Sequence, residues 1–252
     1  MAAPVTPPPL DALREKIRRM EGRLGHRKAA APLGVPEIDQ KLPGGGLPLG
    51  ALHEVAGGGD DAVNAAVAAR FSAGLAALTG GQVLWIAKKA DLFAPSLQQA
   101  GLPPTRVVFV EVESDADGLA CFEEGLRHGG LSAVVAEVGR LTMTASRRLQ
   151  LAAESGGALG IAIRRWPRLA NGADFGKPTA SSTRWRVSAM PSAELPVQGV
   201  GQSRWLLELI RTRSGESGVF EVEAGDGPAG LRIAGAPTPP AHRIGVVAAL
   251  GY

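Results

Sequence analysis

The amino-acid sequence predicts an α/β protein with a mostly parallel sheet that is covered by helices on both faces. Short, continuously apolar segments such as Val83–Ala87 and Ala133–Val138 alternate with longer segments of helical periodicity. Continuous apolar strands are typical of parallel strands buried on both faces, and their alternation with helices favours the crossover connections that such sheets need. The length of 252 residues fits one large domain, or one domain with appendages.

The segments of this α/β pattern follow one another from Leu52 to Ile163. In order, they are strand Leu52–Val55, helix Ala62–Leu78, strand Val83–Ala87, helix Ala90–Ala100, strand Val107–Val112, helix Asp115–Arg127, strand Ala133–Val138, helix Thr144–Ser155 and strand Leu159–Ile163. Gly80-Gly81, Pro103-Pro104 and Gly129-Gly130 end three of the helices, because glycine and proline are the strongest local breaks of a helical pattern.

The character of the sequence changes beyond Trp166. Residues 167–203 are rich in proline, serine, glycine and alanine, with one predicted strand at Thr183–Ser188. Arg204–Thr212 and Gly218–Ala224 are predicted to form a hairpin. The chain is therefore divided into a proline-rich lead with an amphipathic helix (1–28), an α/β core (29–166), a basic and irregular part of the same domain with the hairpin (167–235), and a tail (236–252).

An apolar heptad seam in the N-terminal helix consists of Leu13, Ile17, Met20 and Leu24, with basic residues on its flanks. So short a helix is marginal on its own and has to pack against something. Packing on its own domain and packing on a partner protein are both open, and the seam is a candidate partner-binding site.

Several classes of site are excluded by composition. The chain has one cysteine and four scattered histidines, so a disulfide framework, a cysteine-rich cluster and a histidine metal site are not expected. The sequence has no apolar stretch long enough to cross a bilayer and no signal-peptide pattern, which favours a cytoplasmic protein. The net charge of +3 permits nucleic-acid binding without requiring it.

A glycine-rich turn follows the first strand, in the position of a phosphate-binding loop. Such a loop needs glycines whose backbone N–H groups wrap phosphate oxygens, a lysine for the terminal phosphates and a hydroxyl for magnesium. The turn is composed of Gly57, Gly58, Gly59, Asp60, Asp61, Ala62, Val63 and Asn64. In a G-x-x-x-x-G-K-T frame, Ala62 replaces the second glycine, Val63 the lysine and Asn64 the hydroxyl residue. The two aspartates would repel a triphosphate.

The segments around this loop resemble the core of RecA-type recombinases. The resemblance runs from Gly34–Gly50, with its G-G-G-L-P-x-G turn, through the degenerate loop to the strand at 133–137. It implies that the recombinases' water-activating carboxylate falls on Lys88-Lys89 and that Glu137 stands at the Walker B position, without the hydroxyl partner for magnesium. The resemblance therefore implies a RecA-like domain that does not hydrolyse ATP and carries no cofactor.

Within that superfamily, the sequence is similar to the ImuA family of bacterial damage-inducible mutagenesis. The loop without its lysine, the Ser181–Val187 segment (SSTRWRV) and the Ser203–Arg213 segment (SRWLLELIRTR) carry this similarity. It implies a non-enzymatic accessory role in the SOS response, with an ImuB-like Y-family polymerase homologue, RecA, an indirect link to an error-prone DnaE-type polymerase, and nucleoid association after damage. An unorthodox RecA-type ATPase and a SulA-like inhibitor of cell division remain as alternatives.

Basic residues are concentrated between positions 161 and 213, where nine basic residues stand against three acidic ones. Five of these basic residues are candidates for nucleic-acid contact: Arg164, Arg165, Arg168, Arg184 and Arg186. Arginine next to aromatic residues suits phosphate contact and base stacking. The alternative is that Trp185 and Trp205 face the core while the arginines are solvated, and both interpretations are open at this point.

Overall fold

The protein is described here by a computed structural model, which covers residues 29–59, 62–89, 91–166, 175–192, 199, 201–227 and 230–234. The heptad residues Leu13, Ile17, Met20 and Leu24 lie outside this range, as do Asp60, Asp61, Arg168 and the predicted tail.

Within these residues the chain forms one main sheet, one small two-stranded sheet, five α-helices and a 3₁₀ helix at Pro104–Arg106. The strands and α-helices are β1 (Ala30–Ala31), α1 (Pro36–Asp39), β2 (Leu47–Pro48), β3 (Leu52–Gly57), α2 (Ala62–Ala77), β4 (Val83–Ala87), α3 (Ala94–Gln99), β5 (Val107–Glu111), α4 (Asp115–Arg127), β6 (Ala133–Val138), α5 (Met143–Gly156), β7 (Leu159–Arg164), β8 (Thr183–Met190), β9 (Arg204–Thr212), β10 (Gly218–Ala224) and β11 (Leu231–Ile233).

The main sheet has the strand order β5-β4-β6-β7-β3-β8-β9-β10-β11 over the described residues. The first six strands of this order, from β5 at the edge to β8, pair in parallel. From β8 onward, β9, β10 and β11 pair antiparallel with their neighbours. The expected, mostly parallel sheet is confirmed, and its antiparallel strands lie together at one edge. Strands β9 and β10 form the predicted hairpin, with Gly218 opposite Leu209.

Helices cover the two faces of the parallel half of the sheet. On one face α2 packs against β3 and β8, and on the other α4 and α5 pack against each other and against the neighbouring strands. Trp185 and Trp205 belong to the core under α2, where Phe71 meets the Trp185 ring edge-on at 5.6 Å between centroids. The alternative in which the tryptophans face the core is therefore the observed one.

Several element bounds agree with the sequence prediction, among them those of β4, α4, β6, β9 and β10. The helix predicted from Ala90 is shorter and begins at Ala94, after the extended residue Phe93. Pro95 lies in its first turn, where the missing backbone N–H removes no intrahelical hydrogen bond. Proline thus marks the start of this helix.

Candidate functional site

The described part of the degenerate loop is tied to the neighbouring strand β8. The N–H of Gly58 donates to the carbonyl of Val187 at 2.9 Å, and the Oδ1 of Asn64 accepts from the N–H of Ala189 at 3.1 Å. A Cβ on Gly58 would stand 2.8 Å from the Cβ of Ser188. The loop therefore packs closely against this strand.

The two loop positions that should provide lysine and hydroxyl groups have other roles. Val63, at the lysine position, is 60% exposed and carries no charge. Asn64, at the position of the magnesium-binding hydroxyl, uses its side-chain oxygen to hold β8. Strand β3 precedes the loop and helix α2 follows it, as in a phosphate loop, but these two groups are missing.

The Walker B position is held by an ion pair within the chain. Glu137, at the end of β6, is 6% exposed, and its Oε2 accepts from Arg165 NH1 at 2.9 Å. The same guanidinium also holds the carboxylate of Asp91, which follows β4. Arg165 comes directly after β7, so one arginine joins the carboxyl ends of three strands.

Burial and Arg165 shift the pKa of Glu137 in opposite directions. Burial raises the pKa of Glu137 above its ordinary value, and the attraction and hydrogen bond of Arg165 lower it in part. The hydrogen bond from Arg165 lowers the pKa of Asp91, which is more exposed. The two carboxylates in turn raise the pKa of Arg165. A cation of the chain thus neutralises the acid that would serve magnesium in a nucleotide site.

Lys88 is also engaged at this edge of the sheet. Its Nζ forms an ion pair with Asp115, the first residue of α4. Lys89 is exposed. A lysine already paired with a carboxylate is a poor substitute for the missing loop lysine, because a phosphate would have to compete with Asp115 for it.

A second charge cluster lies inside the protein around Glu54 of β3. Glu54 is fully buried; its Oε2 accepts from Arg164 NH1 at 2.9 Å and its Oε1 from Arg184 NH2 at 3.1 Å. The hydroxyls of Thr179 and Ser181 donate to the same Oε1. One carboxylate therefore joins β3 to its two neighbours, β7 and β8, and to the segment that precedes β8.

An aromatic side chain closes this cluster. The Phe175 ring lies within 5.9 Å of the guanidinium carbons of Arg164, Arg184 and Arg186, and it meets the Trp166 ring edge-on. Such contacts stabilise an arginine most where water is excluded.

These contacts correct the predicted nucleic-acid residues. Arg164 and Arg184 were expected at the surface, but they are 2% and 5% exposed because Glu54 holds them inside, so that expectation is wrong. Arg165 is bound by Asp91 and Glu137. Arg186 is partly exposed and pairs with Glu208 at 3.6 Å.

Glu54, Asp91, Asp115 and Phe175 are residues of these clusters that the sequence pattern did not single out. A signal existed for Glu54, because a histidine and a glutamate interrupt an otherwise apolar strand that the sheet buries on both sides. A charge in such a strand requires a buried partner. Nothing in the spacing indicated that Arg164 and Arg184 are those partners.

The described part of the chain has neither a candidate metal site nor a candidate membrane span. It contains no group of three or more histidine, cysteine, aspartate or glutamate residues that could hold a metal ion. None of its helices is long and apolar enough to cross a membrane.

The strand order and the altered loop together define an α/β protein with a mostly parallel sheet, in which the described positions of the glycine-rich loop lack the lysine and hydroxyl of a phosphate loop. Two curated relatives are each named "Protein ImuA", from the Caulobacter vibrioides strains NA1000/CB15N and ATCC 19089. Each is 42% identical over 213 residues, which is 79% of this chain and 86% of the relative. The chain belongs to the ImuA family.

Other comparisons concern parts of the fold. The family model described as "Cell division inhibitor SulA" matches residues 77–160. Among solved structures, SulA from Pseudomonas aeruginosa is similar at 25% identity and a TM-score of 0.39, over 46% of this chain and 98% of that one. A KaiC-like protein from Pyrococcus horikoshii is similar at 14% identity and a TM-score of 0.49, over 81% and 98%.

Proposed function

We propose that this protein is a non-catalytic RecA-like adaptor in SOS-induced, error-prone translesion DNA synthesis. It binds an ImuB-like Y-family polymerase homologue and RecA, DNA or both, and it reaches a DnaE-type polymerase indirectly. Membership of the ImuA family implies the role in SOS mutagenesis. The observation that favours an adaptor over an ATPase is the Arg165–Glu137 pair, which occupies the acid that a magnesium-bound nucleotide would need.

Calorimetry with millimolar MgATP tests the absence of a nucleotide site. We expect no binding heat and no phosphate release, because the loop lacks its lysine and its magnesium ligand. The variant Arg165→Met, which frees Glu137, should behave in the same way, since Val63 and Asn64 still occupy the loop. Micromolar affinity or measurable turnover in the unaltered protein would overturn the proposal in favour of an unorthodox ATPase.

Co-purification with the polymerase homologue tests the adaptor itself. The proposed interface is the heptad seam that the sequence predicts, formed by Leu13, Ile17, Met20 and Leu24. Ile17→Asp is expected to abolish co-purification because it puts a charge in the seam. Ala12→Asp adds the same charge beside the seam and should leave co-purification unchanged. Full retention of both the polymerase homologue and RecA by Ile17→Asp would count against this interface.

Inhibition of cell division is the second candidate function. The match of residues 77–160 to the SulA family model favours it. Overexpression in a strain without the polymerase homologue distinguishes the two functions, because an inhibitor makes the cells filamentous and an adaptor leaves division unchanged.

The buried acid at the Walker B position gives a pH-dependent prediction. In the folded protein burial raises the pKa of Glu137, so the folded state holds its proton more tightly than the unfolded state does. Stability from this group is thus present at low pH and falls as pH rises from the ordinary pKa of 4.5 to the raised one. Arg165→Met removes the cation that opposes this shift, so the fall should become larger.

Urea unfolding between pH 5 and 8 measures this effect, in a range above the titration of Asp91, whose pKa is lowered. We expect the variant to lose more stability than the unaltered protein as pH rises. Arg165→Lys keeps the charge and should follow the unaltered protein more closely. If the free energy of unfolding fell equally with pH in Arg165→Met and in the unaltered protein, Arg165 would not lower the pKa of Glu137.

A further inference from the structure

Four exposed basic residues form what we call the basic stripe, consisting of Arg147, Lys177, Arg211 and Arg213. All four side chains are exposed, and that of Arg213 is 64% exposed. The stripe lies on the face of the sheet covered by α5. It includes none of the five arginines that the sequence singled out.

Backbone contacts bring these residues together. The segment before β8 runs between α5 and β9, because the N–H of Ala180 donates to Ser146 Oγ at 3.0 Å and the N–H of Arg213 donates to the Ser182 carbonyl at 2.9 Å. Arg147 follows Ser146 on α5, and Lys177 begins this stretch of the segment. Arg211 NH2 reaches the Thr179 carbonyl at 3.4 Å. The helix, the segment and the strand each contribute to one surface.

Little negative charge opposes the stripe. Glu154 lies 3.8 Å from Arg213, and among the described residues no carboxylate forms an ion pair with Arg147, Lys177 or Arg211. The neighbouring open face of β8 to β11 is different, because Arg186, Arg204 and Arg232 there each pair with a glutamate on the adjacent strand. The positive potential of this face is therefore concentrated on the stripe.

The chemistry of the stripe indicates which polyanion it fits. Phe175 is buried and Trp166 is half-buried, so among the described residues around the stripe no exposed aromatic ring is available for base stacking. Its groups suit phosphate contact alone, and a duplex presents phosphates at the higher charge density. A protein partner would need an apolar centre, and Leu151 is the one large apolar side chain exposed on α5.

We propose that the basic stripe binds the phosphate backbone of double-stranded DNA without reading its sequence. This inference specifies the DNA contact that the proposed function includes, and it rests on that part of the proposed function alone. In the cell, such a surface would hold the adaptor on the duplex beside a lesion.

Fluorescence anisotropy of the purified full chain with a labelled duplex, at several salt concentrations, tests the proposal. The variant Arg147→Gln/Lys177→Gln/Arg211→Gln should bind about tenfold or more weakly at low salt. The slope of the logarithm of its binding constant against the logarithm of salt concentration should be shallower by about 2 to 3, since each lost phosphate contact contributes about 0.9 to the slope. The matched control Arg186→Gln/Arg204→Gln/Arg232→Gln removes the same charge from the paired face and should bind as the unaltered protein does.

Three results would overturn the proposal. The first is equal weakening of duplex binding by both triple variants, which would indicate an effect of net charge alone. The second is tighter binding of single-stranded DNA than of a duplex of the same length. The third is displacement of the labelled duplex by poly-glutamate as effectively as by unlabelled duplex. Melting temperature checks that the variants are folded. Co-purification of the polymerase homologue is measured on the same variants. Unchanged DNA binding by the stripe variant refutes the stripe alone, whereas failure of the unaltered protein to retain the partner refutes the adaptor.

Discussion

Replacing Glu54 with glutamine is expected to lower the free energy of unfolding by about 3–5 kcal/mol. The substitution keeps the size of the side chain but removes the carboxylate that Arg164 and Arg184 share inside the protein. Two buried guanidinium groups would then lose the carboxylate that they share, which costs more than the hydrogen bonds alone. Because domains of this kind are stable by only about 5–15 kcal/mol, urea unfolding should show the loss clearly.

Glu208→Gln is the matched control for this substitution. Glu208 pairs with Arg186 at the surface, where the Arg186 side chain is 41% exposed, and solvent weakens such pairs. We expect a change of about 0.5 kcal/mol or less. A loss under about 1 kcal/mol for Glu54→Gln would mean that water or a rearrangement compensates the two arginines, contrary to the buried cluster described above.

The second large effect is expected for Gly156→Ala, with a loss of about 3 kcal/mol in the free energy of unfolding. Gly156 is the last residue of α5, and a Cβ there would stand 1.9 Å from the carbonyl oxygen of Leu126, near the end of α4. A backbone oxygen of a helix cannot rotate away as a side chain can. The two helices would therefore have to separate, which disturbs the apolar packing beneath them.

Gly176→Ala is the control for the second substitution, because its Cβ would meet no atom within 4 Å beyond its own chain neighbours. Thermal unfolding of both variants measures the difference. If Gly156→Ala melted at the same temperature as Gly176→Ala, the ends of α4 and α5 would have to be further apart than described.

Much of the fold could be predicted because its determinants are local. Strands such as β4 and β6 are continuous apolar segments, and the ends of α4 coincide with a serine cap and a glycine pair that act within a few residues. The degenerate loop was equally visible, since the missing lysine at Val63 is a property of one position. Sequence patterns that extend over only a few residues do not depend on the order of the strands in the sheet.

The charge clusters could not be predicted because they depend on strand order. Arg164 was expected in solvent, yet β7 pairs with β3 and brings it to Glu54, 110 positions earlier in the chain. Arg165, the next residue, points to a different pair of acids, so two adjacent arginines have separate structural roles. Alternation along a strand gives the side of the sheet but not the partner found there.

The place of β3 in the sheet has a consequence for the way the chain is made. Its two neighbours are β7 and β8, which come more than 100 positions later in the chain. During synthesis β3 therefore leaves the ribosome long before either strand that will flank it, with Glu54 still uncompensated. Until residue 190 has emerged, its backbone edge can pair wrongly with other chains. Assembly of the parallel part of this sheet is thus a late event that ends with β8, and truncation before that strand should produce aggregation rather than a smaller folded protein.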